Sequence, residues 1–150
     1  MMLTIQDAAA HIGVAASTLR YYDREGLLPF VSRSESGIRL FTQEDLEWLR
    51  FVECLKATGM SIKELKAFID LYVQGDETLE QRRMMFYSRK QAVEEQMAQL
   101  QKTLDFVTYK CWFYDTAVAM GSADAPKSMK PEDLPADILQ KKKNAGLSKL

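Results

Sequence analysis

Cysteine and histidine are scarce: the 150 residues hold two cysteines, Cys54 and Cys111, and one histidine, His11. The thiols are far apart with no paired spacing, which excludes a disulfide framework and suits a reducing cytoplasm. With so few ligands, no tetrahedral metal site can close within one chain, and neither a metal nor a cofactor is expected. No run approaches the roughly eighteen apolar residues of a membrane span, and the N-terminus has no signal-peptide pattern, so no membrane partner is expected. A glycine-rich phosphate loop, a paired-histidine helix motif and a nucleophile elbow are all missing, which argues against an enzyme. Three of the four prolines, Pro126, Pro131 and Pro135, come late. That suits a helical body with an irregular end, in one or two small units sharing a modest core.

What is present is concentrated near the start. Ile5 opens a helix whose apolar positions are Ala8, Ala9 and Ile12. Gly13 breaks it, and Val14 packs behind the turn. A second helix, starting near Ala16 or Ser17, buries Leu19 and Tyr22. Its open face carries Ser17, Thr18, Arg20, Tyr21 and Arg24, side chains that can donate to phosphates or reach base edges. A turn-rich segment follows, with Arg33 and Arg39 placed around Ser36-Gly37. An ordinary pair of packed helices would account for the first part. The helix pair followed by a small basic wing reads as a winged helix-turn-helix.

Charge runs against a nucleic-acid reading. The chain is formally −1. Residues 1–60 hold six basic residues (Arg20, Arg24, Arg33, Arg39, Arg50, Lys56) against eight acidic ones (Asp7, Asp23, Glu25, Glu35, Glu44, Asp45, Glu47, Glu53). Non-specific affinity should be low, because counterion release depends on local phosphate neutralisation. Tight binding would then require a dimer that doubles a few well-placed contacts.

Two further helices follow. Thr42 is an N-cap candidate with Asp45 three residues on, and Leu46, Leu49, Val52 and Leu55 form an apolar stripe widened by Trp48 and Phe51. Gly59 ends that helix. Ser61 and Glu64 form a capping box for the next, whose buried face is Leu65, Phe68, Ile69 and Tyr72, with Gly75 as its stop. Over 77–115 the apolar residues repeat with 4-3 spacing. Val93, Met97, Leu100, Leu104, Val107, Cys111 and Tyr114 make a seam of about three heptads on a helix of roughly 55 Å. So long a seam predicts a paired helix from a second copy. The expected fold class is mainly α: a winged helix-turn-helix domain over 1–75, a dimerisation helix over 76–116, and a short, partly flexible tail over 117–150. In that tail PEDLPADILQ could form a helical turn, and Lys141, Lys142 and Lys143 are read as solvated.

LRYYDREGLLP followed by Gly37-x-Arg39-x-Phe41 resembles the N-terminal domain of the MerR family of transcriptional regulators, and the resemblance covers roughly residues 3–115. It implies a homodimer joined by an antiparallel coiled coil on two-fold symmetric double-stranded promoter DNA. It implies also that the turn from Lys56 to Ser61 is a second wing, that the following helix start, with Lys63, meets backbone phosphate, and that RNA polymerase engages the promoter once the dimer has distorted it. One departure is visible. The family often has tyrosines at the positions of Ile38 and Phe41, so Arg39 should carry more of the wing's anchoring. A DNA-bending or excision factor on the same winged unit is the rival reading, and the long heptad argues against it.

Three effector readings remain. Metal-sensing relatives place cysteines near the end of the long helix, where only Cys111 stands, here read as a small seam residue. A subgroup responding to aldehydes and other electrophiles resembles this chain in having a cysteine where Cys54 lies. Arg50, one turn back, favours a thiolate there; Glu53 and the helix C-terminus oppose it, and packing beside Phe51 and Leu55 would make it core. The cluster Tyr109, Trp112, Phe113 and Tyr114 could hold a planar apolar or cationic ligand, or pack against a partner chain's helices.

Overall fold

The computed structural model describes residues 2–147. Its elements are helices α1 (Ile5–Ile12), α2 (Ala16–Arg24), α3 (Gln43–Ala57), α4 (Ile62–Gln74), α5 (Leu79–Met120), α6 (Asp124–Ser128) and α7 (Ala136–Asn144), with strands β1 (Ser32–Arg33) and β2 (Arg39–Leu40). The chain divides into two compact units, Met1–Lys90 and Gln91–Leu150.

In the first unit the helix starts are set locally. Thr4 with Asp7, Thr42 with Asp45, and Ser61 with Glu64 each form a reciprocal capping box on α1, α3 and α4. Gly13 adopts φ +80°, a left-handed conformation that favours glycine, and its N–H donates to the Ala9 carbonyl at 2.9 Å. α1 thus stops and the chain turns into α2, where Ala8 and Ala9 are small enough to be buried at the crossing. Leu19, Tyr22, Leu27, Leu46, Leu49, Val52, Leu65 and Ile69 fill the core behind it. The seam between the two halves of this unit is aromatic. Trp48 donates its indole N–H to the Leu27 carbonyl at 3.0 Å and lies against Phe30, Phe51 and Tyr72.

β1 and β2 form an antiparallel hairpin pairing Ser32 with Leu40 and Arg33 with Arg39. Its turn is closed by Ser34, whose N–H donates to the Ile38 carbonyl at 2.8 Å and whose hydroxyl accepts from the Ile38 N–H at 3.1 Å. Gly37 sits at φ +78° in this turn. Leu3 extends the hairpin by pairing with Phe41. Phe41 is fully buried, so its ring serves the core and not the wing surface.

The long helix is 42 residues, about 63 Å at 1.5 Å per residue. It begins three residues later and ends four residues later than the expected helix over 76–116. Its first turns belong to the first unit: the Phe86 ring stands edge-on to Phe68 at 5.3 Å, and Met85 joins the core. The bend into it is fixed by Thr78, buried, whose hydroxyl donates to the Leu71 carbonyl at 2.6 Å and accepts from Arg82 Nε at 3.1 Å.

The second unit corrects the reading of 117–150 as a short tail. α5 continues through Ala117, and α6, a 3-10 turn over Pro131–Asp133 and α7 follow. Ile138 of α7 is buried with Tyr109 and Phe113 of α5. Asn144 Nδ2 donates to Asp105 Oδ2 at 2.8 Å, and Gln101 Nε2 donates to the other carboxylate oxygen at 2.9 Å. The segment folds because its few apolar residues meet an apolar stripe on α5. Residues 148–150 of it lie outside the described residues.

Candidate nucleic-acid interface

α2 differs from the three capped helices of its unit. Its N-cap, Ala15, offers no side-chain acceptor, and the Thr18 amide turns back to the Ala15 carbonyl at 2.9 Å. Its outer face presents Ser17, Arg20, Tyr21 and Arg24, all exposed, with Thr18 half-buried. The Arg24 guanidinium stands 5.9 Å from the Tyr21 ring centre, which braces both side chains. Ser17, Arg20 and Arg24 join Arg39 of β2 around one concavity of about 380 Å³. Helix and wing therefore present three guanidinium groups to a single space.

Asp23 sets that geometry. It receives Arg33 Nη2 at 3.2 Å and is also in close ion pair with Arg39. One carboxylate on α2 thus holds both wing arginines. Arg39 Nε is buried without a hydrogen-bond partner among the described residues. Sequence reasoning missed Asp23, which carries no local signal because its partners lie ten and sixteen positions away.

A second network holds α2 from behind. The buried Tyr22 hydroxyl donates to Glu53 and accepts from Lys56 Nζ at 3.0 Å. Burial and the Glu53 bond push the Tyr22 phenol above its ordinary range, and the bond to Tyr22 raises the Lys56 ammonium in turn. Lys56 is thereby fixed beside α2, while Lys63 stands exposed in the first turn of α4. Glu64 caps α4 and pairs with Arg89 at 2.8 Å. The Ser61 amide is the first cause holding its carboxyl below the usual range.

A family model described as MerR HTH family regulatory protein matches residues 3–71, and one described as MerR, DNA binding, matches residues 46–107. An uncharacterized HTH-type transcriptional regulator of Haemophilus influenzae is 47% identical over 125 residues, covering 83% of this chain and 93% of its own. The chain belongs to the MerR family of transcriptional regulators. MerR proteins are DNA-binding regulators and not enzymes. The HTH-type transcriptional regulator AdhR of Bacillus subtilis is 39% identical over 93 residues, which is 62% of this chain and 66% of AdhR. Among solved structures, HiNmlR, described as a MerR family regulator lacking the sensor domain and bound to promoter DNA, has a TM-score of 0.72 at 47% identity. The match covers 83% of this chain and 99% of that one.

The other residues singled out in this MerR chain fall into three places. Cys54 is exposed on α3, which sets aside the rival reading of it as a packed core thiol: α3 buries Val52 and Leu55 and turns residue 54 outward. Met97, Leu100, Leu104, Val107, Cys111 and Tyr114 are exposed on α5, and Val93 is half-buried. The aromatic cluster divides. Tyr109 and Phe113 are buried within the second unit, Trp112 stacks on Tyr109 at 6.2 Å, and Tyr114 is exposed. Packing of Tyr109 and Phe113 against a partner chain is replaced by packing on this chain's own α7. A cationic guest is also disfavoured, because Lys110 Nζ already stands 4.9 Å from the Phe113 ring centre and Lys142 Nζ 5.7 Å from that of Tyr109. No group of three or more metal-ligating side chains, and no helix long and apolar enough to cross a membrane, occurs among the described residues.

Proposed function

We propose that this chain acts as a homodimer on a two-fold symmetric promoter site and activates transcription by distorting the DNA when an aldehyde or related electrophile is captured at Cys54. Ser17, Thr18, Arg20, Tyr21 and Arg24 meet the major groove, and Arg33, Arg39, Lys56 and Lys63 hold the flanking phosphates. The observation that carries this reading is the shared concavity of Ser17, Arg20, Arg24 and Arg39. It gathers three cations from two elements in a unit that is otherwise acidic. HiNmlR, on promoter DNA, supplies the precedent.

The electrophile step rests on Cys54 being accessible and on its neighbours. Glu53 and Lys56, on either side of it along α3, are the residues that grip Tyr22 of the recognition helix. Addition of the thiolate sulfur to an aldehyde carbonyl forms one C–S bond, moves the carbonyl π pair onto oxygen, and leaves a hydroxyl after protonation by water. The adduct adds bulk and a hydrogen-bonding group one residue from Glu53 and two from Lys56. It acts by shifting a balance between two dimer conformations, one of which bends and undertwists the promoter so that RNA polymerase can engage.

The test is in vitro transcription from the promoter upstream of the chain's own coding region, with wild type and Cys54→Ser, with and without formaldehyde. Activation by formaldehyde in wild type alone supports the reading. Equal activation in both proteins removes Cys54 as the sensor. No activation in either, with footprinting of the promoter intact, removes the electrophile step and leaves the DNA-binding assignment standing.

A further inference from the structure

We propose that the second unit carries a binding site for an aromatic carboxylate, in the concavity between α5, α6 and α7. The site is separate from Cys54 and does not depend on the electrophile reading. It measures about 480 Å³, within the range of about 300–1,000 Å³ common for small-molecule pockets. Its wall is aromatic: Tyr109 and Phe113 are buried beside it, and Phe106 is part of its lining. Its polar groups are three lysines, one from each helix: Lys110 of α5, Lys127 of α6 and Lys142 of α7. Among the described residues no carboxylate lines it.

The charges decide the guest. Lys110 Nζ lies 4.9 Å from the centre of the Phe113 ring and 5.7 Å from that of Tyr109, and Lys142 Nζ lies 5.7 Å from the centre of Tyr109. Neither lysine is in an ion pair with a carboxylate among the described residues. The nearby acids leave Lys110 and Lys142 unpaired. Asp105 accepts from Asn144 and Gln101, and Asp124 meets Lys127 at 3.4 Å on an exposed edge. An ammonium over a ring face is a weaker arrangement than one donating to a carboxylate. A guest bearing a flat apolar ring and one carboxylate satisfies both parts: its ring lies on the aromatic wall and its anion takes the Lys110 and Lys142 donors. A neutral analogue loses the second contact, and a cationic one meets the like charges of Lys110 and Lys142. Such a guest also fastens α7 to α5 by a second link beside the Asp105–Asn144 bond, which gives it a route to influence this unit.

The test is calorimetric titration of the full chain with 2-naphthoate, beside 2-naphthylmethanol and 2-naphthylmethylammonium as probes matched in ring and differing in charge. The expected result is saturable binding of the naphthoate, with affinity about tenfold or more weaker for the alcohol and no heat from the amine, a tenfold step being about 1.4 kcal/mol. Lys110→Gln/Lys142→Gln should bring the naphthoate down to the affinity of the alcohol, and Cys54→Ser should bind the naphthoate as wild type does. The proposal is overturned by no binding of naphthoate up to about 1 mM, by equal affinity for naphthoate and alcohol, or by a double variant that binds naphthoate unchanged. Charge discrimination in the wild type stands as its own test should the double variant lose helix by circular dichroism.

Discussion

Asp23 governs how the recognition helix and the wing share charge. Because it holds Arg33 and Arg39, those two guanidinium groups meet a phosphate already paired, whereas Arg20 and Arg24 have no carboxylate partner among the described residues. Arg20 is therefore the sharper probe. Arg20→Ala should weaken operator binding at least about tenfold, since one bidentate contact is worth about 1–3 kcal/mol and a dimer loses two. A gel-shift titration reads this directly, and an unchanged midpoint would remove the recognition-helix assignment. The face holding Ser17, Arg20 and Arg24 was legible because positions three and four apart share one side of a helix. Asp23, Glu53 and the Tyr22–Lys56 bond were not, since each is decided by how α2 crosses the wing and α3, a tertiary fact with no local pattern. Cys54 was legible as a residue and not as an exposed one, because the apolar stripe of α3 leaves its edge open to either outcome.

At the scale of elements, capping made two helix starts readable before any packing was known, as at Thr42 and Ser61, where acceptor and acid lie within one turn. α7 was hidden for the opposite reason. Its composition is basic, and it is tied to α5 by Ile138, by the Asp105–Asn144 bond and by Lys142 over the Tyr109 ring. That bond makes a pH prediction. The hydrogen bonds from Asn144, then from Gln101, hold the Asp105 carboxyl below its ordinary value of 3.8. A carboxyl lowered in the folded state contributes stability that is fully present above the unfolded value. The contribution is lost as pH falls through the lower folded value. Acidification from about pH 6 should thus loosen α7 only below the ordinary carboxylate range. The signal to follow is Trp112 fluorescence in a Trp48→Phe background. Asp105→Asn should show a weakened α7 contact near neutrality and little further change in acid. A variant with the wild-type acid transition would assign that transition to other carboxyls, such as Asp7 or Glu64, whose pKa values are lowered in the same direction.

For the whole molecule the decisive feature is that α5 carries two apolar stripes. One, through Tyr109, Phe113 and Ala117, is covered within the second unit. The other, through Met97, Leu100, Leu104 and Val107, has no cover among the described residues and is exposed. The heptad spacing announced the second stripe and masked the first, because a repeat counts apolar residues without saying which face a later segment will cover. Leu100 is 70% exposed, so nothing in the single chain explains a leucine there, whereas a paired helix does. Leu100→Asp puts a charge into that seam in each of two copies while disturbing no contact within its own unit. The variant should keep its helix content by circular dichroism and run as a monomer by light scattering at micromolar concentration. It should also bind operator far more weakly, because two half-sites are then engaged independently and the gain in effective concentration is lost. A dimer mass for Leu100→Asp would move the pairing surface off this seam. A monomer with undiminished operator affinity would show instead that one recognition helix and its wing suffice for binding, and that the acid excess of residues 1–60 is no obstacle to it.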